Sequence, residues 1–257
     1  MAKKICIANQ KGGVGKTTTA VNLAASLAAA EKRTLLVDMD PQGNAGSGVG
    51  LDKESLEESV YDALINDADP TGLIVKTDLP GLDLLPSTTD LAGAELELVA
   101  TEGREWKLKE ALTRLNDHYD YIIIDCPPSL GLLTVNAMTA ADSVLIPLQC
   151  EFYAMEGLSQ IMKTIKLVQK GLNPRLAIEG ILLTMYDGRI NLSRQVSEEI
   201  RAHFGDLAFQ TVIPRNVRLS EAPSHGRPII LYDITSRGAV TYLELAKELM
   251  EKEARHG

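Results

Sequence analysis

The residues best suited to chemistry lie near the amino terminus, where three glycines precede a lysine and a threonine. Gly12, Gly13 and Gly15 let the backbone curl and expose successive N–H groups, because no Cβ blocks an approaching anion. Lys16 can reach the β- and γ-phosphates of a nucleotide, and the Thr17 hydroxyl can bind Mg²⁺. The alternative is a glycine turn beside a chance lysine, but a strand pattern before the loop and a helix pattern after it favour a phosphate site.

Carboxylates end two further strand-like segments. Asp38 and Asp40 stand two residues apart, so both point to the same side of an extended chain. Asp125 ends an apolar run and, beside a phosphate loop, is suited to hold Mg²⁺ through its water shell. Ligands of parallel sheets bind at the carboxyl ends of the strands, so we expect these carboxylates near the phosphates. The alternative for Asp38 and Asp40 is a pair of strand-end caps that open a turn.

Short aliphatic segments alternate with helix-period segments, which is the pattern of βα units on a parallel sheet. The predicted strands are Lys4–Asn9, Arg33–Asp38, Leu82–Pro86, Tyr121–Asp125, Ser143–Pro147 and Ile178–Thr184. An apolar stripe at helical spacing is formed by Leu158, Ile161, Met162, Ile165 and Val168. A closing helix is predicted over Val240–Ala254. We therefore expect an α/β protein with a mostly parallel sheet between helices, in one domain spanning residues 1–257.

The composition is that of a globular protein with an aliphatic core. Aromatic residues make up only 4% of the chain, which suits a parallel sheet covered on both faces. Cys6, Cys126 and Cys150 are scattered and form no C-x-x-C pair, so we expect small core residues in a reducing compartment. The sequence shows neither a signal peptide nor an apolar run of the roughly 18 residues that would span a bilayer. These features predict a cytoplasmic protein without a membrane partner.

The glycine loop departs from the ordinary phosphate-loop motif, because Gln10 stands where that motif has its first glycine and Lys11 precedes the glycine pair. The loop K-G-G-x-G-K-[ST] resembles that of the ParA/MinD/nitrogenase-iron-protein superfamily. This resemblance implies a three-layer P-loop NTPase fold and the cofactors ATP and Mg²⁺. The residues expected to bind the phosphates are Lys11, Gly12, Gly13, Val14, Gly15, Lys16, Thr17 and Thr18. The resemblance also implies a homodimer in which Lys11 crosses to the partner's nucleotide.

The same resemblance implies slow, partner-stimulated ATP hydrolysis and gives the carboxylates separate roles. In the family's second motif the later Asp orients or activates the attacking water and the earlier one supports the metal, which assigns these roles to Asp40 and Asp38. The expected metal ligands are Thr17, Asp38 and Asp125. The expected catalytic residues are Lys11, Lys16 and Asp40.

Three segments are most similar to chromosomal ParA proteins of the Soj type, namely residues 9–13, 38–44 and 214–223. In that family the counterparts of Pro214 and Asn216 belong to the loop that frames the adenine, and we expect Met185 to pack against the base as well. Without the resemblance, residues 214–216 would be read simply as a turn. The resemblance further implies nonspecific binding of double-stranded DNA by the ATP-bound dimer, association with the nucleoid, and a ParB-like partner that speeds hydrolysis.

The distribution of charge is compatible with a DNA surface even though the net charge is −9. Residues 187–227 contain six arginines, five acids and no lysine, which makes this window +1. Arginines can contact DNA phosphates without reading bases. Charge alone would favour a solvated helix face, and the family resemblance reverses that preference. The candidate DNA contacts are Arg189 and Arg218, followed by Arg215, which adjoins the nucleotide loop.

Two other functions remain possible on the same fold. A MinD-like ATPase that positions a cargo would use a C-terminal amphipathic anchor, but residues 244–257 lack bulky aromatics and carry many acids. An ATP-dependent small-molecule ligase would share the loop and the fold. An iron–sulfur carrier would need paired cysteines, which this chain lacks.

Overall fold

The computed structural model describes residues 1–256, and in this part of the chain seven strands form one sheet. The strands are β1 (Lys3–Ile7), β2 (Thr34–Asp38), β3 (Val75–Lys76), β4 (Leu82–Leu85), β5 (Tyr121–Asp125), β6 (Ser143–Gln149) and β7 (Ala177–Thr184). Their order across the sheet is β3-β4-β2-β5-β1-β6-β7. Neighbouring strands are parallel except β3 and β4, which are antiparallel. The prediction of a mostly parallel sheet is confirmed.

All six predicted strands are present, and their ends differ from the predicted ones by at most two residues. The prediction missed β3, which has two residues and pairs with β4 at the edge of the sheet. A strand this short carries no readable alternation of apolar and polar residues, so sequence periodicity could not identify it.

Eleven α-helices accompany the sheet within the described residues. They are α1 (Lys16–Ala29), α2 (Asn44–Gly48), α3 (Val60–Ile65), α4 (Leu91–Glu97), α5 (Lys107–Thr113), α6 (Leu132–Ala140), α7 (Ala154–Gly171), α8 (Asn191–Phe204), α9 (Val217–Glu221), α10 (Ile229–Tyr232) and α11 (Arg237–His256). The predicted apolar stripe lies on α7, where Leu158, Ile161, Ile165 and Val168 are buried. Met162 is partly buried and packs against the same core.

The side chains of successive strand residues pack alternately into two separate hydrophobic cores, one on each face of the sheet. In β5, Ile123 belongs to the core that includes α1 and α11, whereas Ile122 and Ile124 belong to the core that includes α7. Each strand is therefore apolar on both faces, because both faces are covered by helices. This explains why the strands read as continuous aliphatic runs and why the chain needs few aromatic residues.

The closing helix is docked on the body of the protein. Leu245, Ala246 and Leu249 of α11 are buried in the same core as α1. The buried Tyr242 hydroxyl lies 3.2 Å from the hydroxyl of Thr19, which ties α11 to α1. The apolar face of α11 is thus used inside the molecule. Among the helices of residues 1–256, none is long and apolar enough to cross a membrane.

The three cysteines are free thiols buried in the core, as expected from the sequence. The sulfur atoms of Cys6, on β1, and Cys126, the residue after β5, lie 3.3 Å apart. Burial and the contact with Cys6 raise the pKa of the Cys126 thiol well above its usual value. Such a thiol stays protonated and packs as a small apolar group.

We expect Gly180→Ala to destabilise the protein, because a Cβ at this position in β7 would lie 2.6 Å from the Phe209 ring and 2.9 Å from the Leu207 carbonyl oxygen. Overpacking of this kind costs roughly 1–3 kcal/mol. Gly157→Ala is the matched control, because an added Cβ there meets no described atom within 4 Å and the residue lies inside α7. Urea unfolding should show a loss for Gly180→Ala and a gain of roughly 0.5–1 kcal/mol for Gly157→Ala. Equal stability of the two variants would contradict the close packing at Gly180.

Candidate nucleotide site

The glycine loop connects β1 to α1 in a conformation that requires glycine at two positions. Gly13 has φ +74° and Gly15 has φ +89°, both in the left-handed region. Gly15 is also the N-cap residue of α1, so the first N–H groups of that helix point into the loop without a capping side chain. Free N–H groups and the positive end of the helix dipole form a site for a phosphate.

Two buried side chains hold the loop in place, Asn9 from the residue just before it and Thr184 from the end of β7. The Asn9 amide donates a 2.7 Å hydrogen bond to the Pro147 carbonyl, and its oxygen accepts one of 3.0 Å from the Lys11 N–H. The Thr184 hydroxyl donates a 2.9 Å bond to the Val14 carbonyl. Sequence reasoning missed both roles. The available signal was a polar residue just after one strand and another at the end of a second strand, where parallel sheets place their sites.

Lys16 is buried at the first position of α1 and turns back over the loop. Its ammonium donates a 3.0 Å hydrogen bond to the Lys11 carbonyl. Burial lowers the pKa of Lys16, whereas the nearby carboxylates of Asp125 and Asp40 raise it. The ammonium therefore lies between the loop and the carboxylates, where a phosphate held by the loop can replace the carbonyl as its partner.

Lys11 makes an ion pair with Glu151, which follows β6 in the same chain. The Lys11 side chain is 44% exposed and the Glu151 side chain 29%, so the pair is partly open to water. Such pairs contribute little to stability and exchange readily. Glu151 was not predicted from the sequence, and its signal was a single acid after a strand. The Lys11 ammonium is thus held beside the loop within one copy of the chain.

Asp38 and Asp125 are opposite each other on β2 and β5, at the carboxyl ends of the two strands. Asp38 accepts hydrogen bonds from the backbone N–H groups of Asp40 (3.0 Å), Ala45 (3.0 Å) and Gly46 (3.2 Å). Burial raises the pKa of the Asp38 carboxyl to about 6, although these bonds oppose the rise. Asp38 therefore anchors the segment that contains Asp40 and the start of α2, as a strand-end cap that opens a turn. Its role as a metal ligand stays a prediction.

Asp125 is fully buried, and among the described residues neither of its carboxylate oxygens has a hydrogen-bond partner. Burial and the charge of Asp38 raise the pKa of Asp125 well above its usual value. The Thr17 hydroxyl lies close enough to oppose this rise, although it makes no hydrogen bond of normal geometry with Asp125. A buried carboxylate without a partner is costly, so it fits a site for a cation.

A magnesium ion fits these donors. Mg²⁺ prefers oxygen ligands and usually binds one or two carboxylates together with phosphates and water. Asp125 supplies carboxylate oxygens and Thr17 a hydroxyl beside the first turn of α1. Within residues 1–256, no three His, Cys, Asp or Glu side chains converge on one metal position. Phosphate and water would therefore have to complete the coordination of the ion.

Asp40 is buried close to Asp125 and Lys16, with 7% of its surface exposed. One of its carboxylate oxygens accepts a 2.9 Å hydrogen bond from the Gln42 N–H, which fixes the side chain in the turn after β2. Its charge acts on both Lys16 and Asp125, so it faces the same space. The structure thus brings Asp40 together with the phosphate loop and the metal candidates.

The three predicted adenine contacts also lie together. Met185 follows β7 with φ +50°, an uncommon conformation for a residue with a side chain. The next residue, Tyr186, forms a parallel bridge with Pro214, which brings the two segments side by side. The Asn216 oxygen accepts a 2.8 Å bond from the Arg218 N–H and caps α9, which leaves its NH₂ group for another acceptor. Their contact with a base remains a prediction.

The candidate DNA-binding arginines are exposed, and two of them, Arg189 and Arg218, are paired with acids. Arg189 makes a 2.7 Å ion pair with Asp187, and these contacts lower the pKa of Asp187 to about 2, with a smaller contribution from Arg215. Arg218 pairs with Glu221 at 2.9 Å and with Asp233 at 3.6 Å. The Arg189 side chain is 90% exposed. Exposed pairs of this kind are weak, so phosphates can compete for these guanidinium groups.

A family model described as an AAA domain matches residues 2–178. The chain is 62% identical over 249 residues to the chromosome partitioning protein ParA of Myxococcus xanthus, an alignment that covers 97% of this chain and 88% of that protein. The chain belongs to the ParA/Soj family. It is also 64% identical over 249 residues to the sporulation initiation inhibitor protein Soj of Bacillus subtilis, covering 97% of this chain and 98% of that one. The predicted family membership is confirmed.

One solved relative is named for a different activity. A cobyrinic acid a,c-diamide synthase from Mycobacterium smegmatis with bound ADP and magnesium is 40% identical, with a TM-score of 0.87 and coverage of 100% of this chain and 97% of that one. The similarity confirms the predicted P-loop NTPase fold of this ParA/Soj family member. It also keeps the ligase alternative open to experiment.

We expect Lys16→Ala to lose nucleotide binding, because it removes the buried ammonium that faces the phosphate loop. Charge-assisted hydrogen bonds of this type contribute enough free energy to predict a loss of roughly 100-fold in affinity. Titration with a fluorescent nucleotide would measure the change. Lys109→Ala removes an exposed ammonium on α5 and should bind like the wild type. Unchanged affinity of Lys16→Ala would refute the phosphate assignment.

The raised pKa of Asp125 predicts a specific dependence of stability on pH in the protein freed of nucleotide and metal. The folded state holds the Asp125 proton more tightly than the unfolded state, so the free energy of unfolding falls as pH rises from the usual Asp pKa of 3.8 through the higher native pKa. Each unit of elevation corresponds to about 1.4 kcal/mol. Asp125→Asn removes this loss, so its stability should fall less between acidic and neutral pH.

The measurement is urea unfolding across pH in a chelating buffer, repeated with Mg²⁺ and ATP. Asp117→Asn, which changes an exposed carboxylate, is the control and should follow the wild-type profile. Stabilisation by Mg²⁺ and ATP should be largely lost in Asp125→Asn. Parallel profiles for Asp125→Asn and the wild type would contradict a buried carboxylate that lacks a partner.

Proposed function

We propose that this ParA/Soj family member is an ATP-dependent dimerising switch that binds DNA nonspecifically as the ATP-bound dimer and is released by hydrolysis. The observation that carries the proposal is that the glycine loop, Lys16, Asp40 and Asp125 surround one space, with Lys11 in the loop itself. The relatives named ParA and Soj support it because they are more than 60% identical over nearly the whole chain. The ADP and magnesium in the mycobacterial structure support ATP and Mg²⁺ as cofactors.

Hydrolysis would proceed by attack of water on the γ-phosphorus, with cleavage of its bond to the bridging oxygen and release of ADP and phosphate. The loop N–H groups and Lys16 would hold the phosphates, and Mg²⁺ at Thr17 and Asp125 would neutralise their charge. Asp40 uses one oxygen to accept the bond from the Gln42 N–H, so its second oxygen can accept a proton of the attacking water and orient it. These residues would act mainly by positioning the reactants and by neutralising charge. Such a limited set of contributions suits slow basal turnover.

Dimerisation would depend on Lys11. In one copy its ammonium pairs with Glu151. A second copy that presents a bound triphosphate offers a stronger anionic partner, so Lys11 would leave Glu151 and contact the partner's phosphates. Loss of the γ-phosphate would weaken that contact. ATP would therefore favour the dimer and hydrolysis would favour its dissociation.

The dimer would bind DNA through the surfaces that carry Arg189, Arg215 and Arg218. One copy provides few phosphate contacts, and a dimer doubles them. Because each contact releases counterions, affinity rises steeply with the number of contacts. The protein would then associate with the nucleoid in the cytoplasm, and a ParB-like partner would accelerate hydrolysis during chromosome or plasmid segregation.

An ATP-dependent ligase is the second candidate, favoured by the similarity to the mycobacterial cobyrinic acid a,c-diamide synthase. A ligase would use ATP to activate a carboxylate for amide formation, so its turnover would depend on an acceptor. ATP hydrolysis in the absence of any metabolite supports the switch. Strict dependence of turnover on a carboxylate substrate would support the ligase and reject the switch.

We expect Asp40→Ala to bind ATP, stay dimeric and hold DNA, because the attacking water is no longer oriented. DNA binding would be measured with ATP and with ADP, across a salt series, on DNA fragments of unrelated sequence. Salt-sensitive binding with ATP alone supports the switch. An unchanged hydrolysis rate would remove Asp40 from the mechanism, and the absence of DNA binding in both nucleotide states would reject the DNA function.

The arginine surface can be tested in the Asp40→Ala background. Arg189→Ala with Arg218→Ala should leave the ATP-bound dimer intact but weaken DNA binding. The salt slope should fall by up to about 4, because a dimer loses four contacts of roughly 0.9 each. Lys163→Ala with Lys166→Ala is the matched control, since it removes the same charge from exposed positions on α7. A larger effect of the lysine pair would place the DNA surface on α7 instead.

A further inference from the structure

Two adjacent aromatic residues are exposed between β6 and α7. Phe152 is 76% exposed and Tyr153 is 63% exposed. Their rings contact each other edge to face, with centroids 5.1 Å apart. The chain has only three phenylalanines, and the other two are packed in or against the cores. Exposure of neighbouring aromatic rings to water is unfavourable, so this pair is a candidate for contact with another molecule.

The aromatic pair adjoins the phosphate loop. Glu151, the residue before Phe152, is the ion-pair partner of Lys11. Gly12 approaches the loop after β5, since a Cβ at Gly12 would lie 3.9 Å from the Pro128 Cβ. Solvent reaches all of the residues 10–13, 128–129 and 152, apart from the parts that contact one another. We call residues 10–13, 128–129 and 151–153 the loop surface.

The charge of the loop surface suits contact with a second copy of this chain. It contains one lysine, Lys11, and one glutamate, Glu151, so its net charge is zero. The whole chain carries a net charge of −9, so two copies repel each other over most of their surfaces. A neutral patch with aromatic residues beside exposed backbone is where they can approach. Aromatic side chains are enriched in protein interfaces and often supply most of the binding energy.

We infer that Phe152 and Tyr153 form the apolar contact through which two ATP-bound copies associate, packing against the loop surface of the second copy. This inference rests on the proposed function, because it identifies the side chains that would stabilise the proposed dimer. A two-fold symmetric dimer brings the same patch of each copy together. Contact through the aromatic pairs would place each phosphate loop, with its Lys11, next to that of the partner.

The inference separates two contributions to dimerisation. Lys11 responds to the nucleotide, because its new partner would be a phosphate. Phe152 and Tyr153 lie outside the phosphate loop, so they would add affinity for the second copy without adding affinity for ATP. Their removal should therefore weaken self-association and leave nucleotide binding unchanged.

The test uses the full chain with Asp40→Ala as the parent. Phe152→Ser with Tyr153→Ser is compared with Leu167→Ser, a control that removes a side chain of similar exposure (70%) from α7. Sedimentation velocity with ATP and Mg²⁺ over a range of protein concentrations gives the dimer dissociation constant. A fluorescent nucleotide titrated at low protein concentration gives the affinity for ATP. We expect the aromatic double variant to dimerise roughly 30-fold more weakly or worse, with ATP affinity as in the parent.

Three results would overturn the inference. If the aromatic variant dimerises as tightly as Leu167→Ser, the aromatic pair faces a different partner or none. If the variant loses affinity for ATP in proportion to its loss of dimer, the pair acts through the nucleotide site. If the parent itself stays monomeric with ATP, the proposed dimer and this inference both fail, whereas the first two results leave the proposed switch intact.

Discussion

The Asp125 carboxylate lies in the protein interior at the carboxyl end of a central strand, and the rest of the site is arranged around its charge. Asp38 lies opposite on the neighbouring strand and adds a second negative charge. Lys16 compensates part of that charge. Since a buried carboxylate without a partner is costly, this arrangement is retained at the expense of stability and fits the binding of a cation. The cation would neutralise the carboxylates, and the phosphates that enter with it would bind between the cation and the N–H groups of the glycine loop.

The rigid elements and the exchangeable contacts of this site are separate. Gly13 and Gly15 hold the loop in left-handed backbone conformations. Buried hydrogen bonds from the Asn9 and Thr184 side chains fix its position. In contrast, Lys11 rests in a partly exposed ion pair with Glu151. The proposed switch would need both properties, because the phosphate would bind to a preformed loop while the response to the partner would be reversible. The exposed aromatic pair lies next to the exchangeable part.

On the proposed DNA surface the charges are exposed to water, unlike the buried charges of the nucleotide site. Arg189 and Arg218 are exposed and bound to acids of their own chain, so each phosphate contact must displace an existing partner. The loss is small because exposed ion pairs are weak. Net charge therefore gives little information on this surface, and the number of guanidinium groups that reach DNA at once would decide affinity. This is why dimerisation would matter for DNA binding.

The sequence by itself determined the site chemistry that is local in the chain. The phosphate loop, the six main strands and the three Asp residues at strand ends could be predicted because each depends on spacing within a few residues. The two-residue β3, the anchoring of Asp38 and the partner of Lys11 could not be predicted. Only the tertiary structure decided which residues clamp the loop, since Asn9 reaches Pro147 and Thr184 reaches Val14 across 138 and 170 positions. It also decided that Asp125 has no hydrogen-bond partner within residues 1–256 and that Phe152 and Tyr153 face solvent, because burial is set by how distant segments pack.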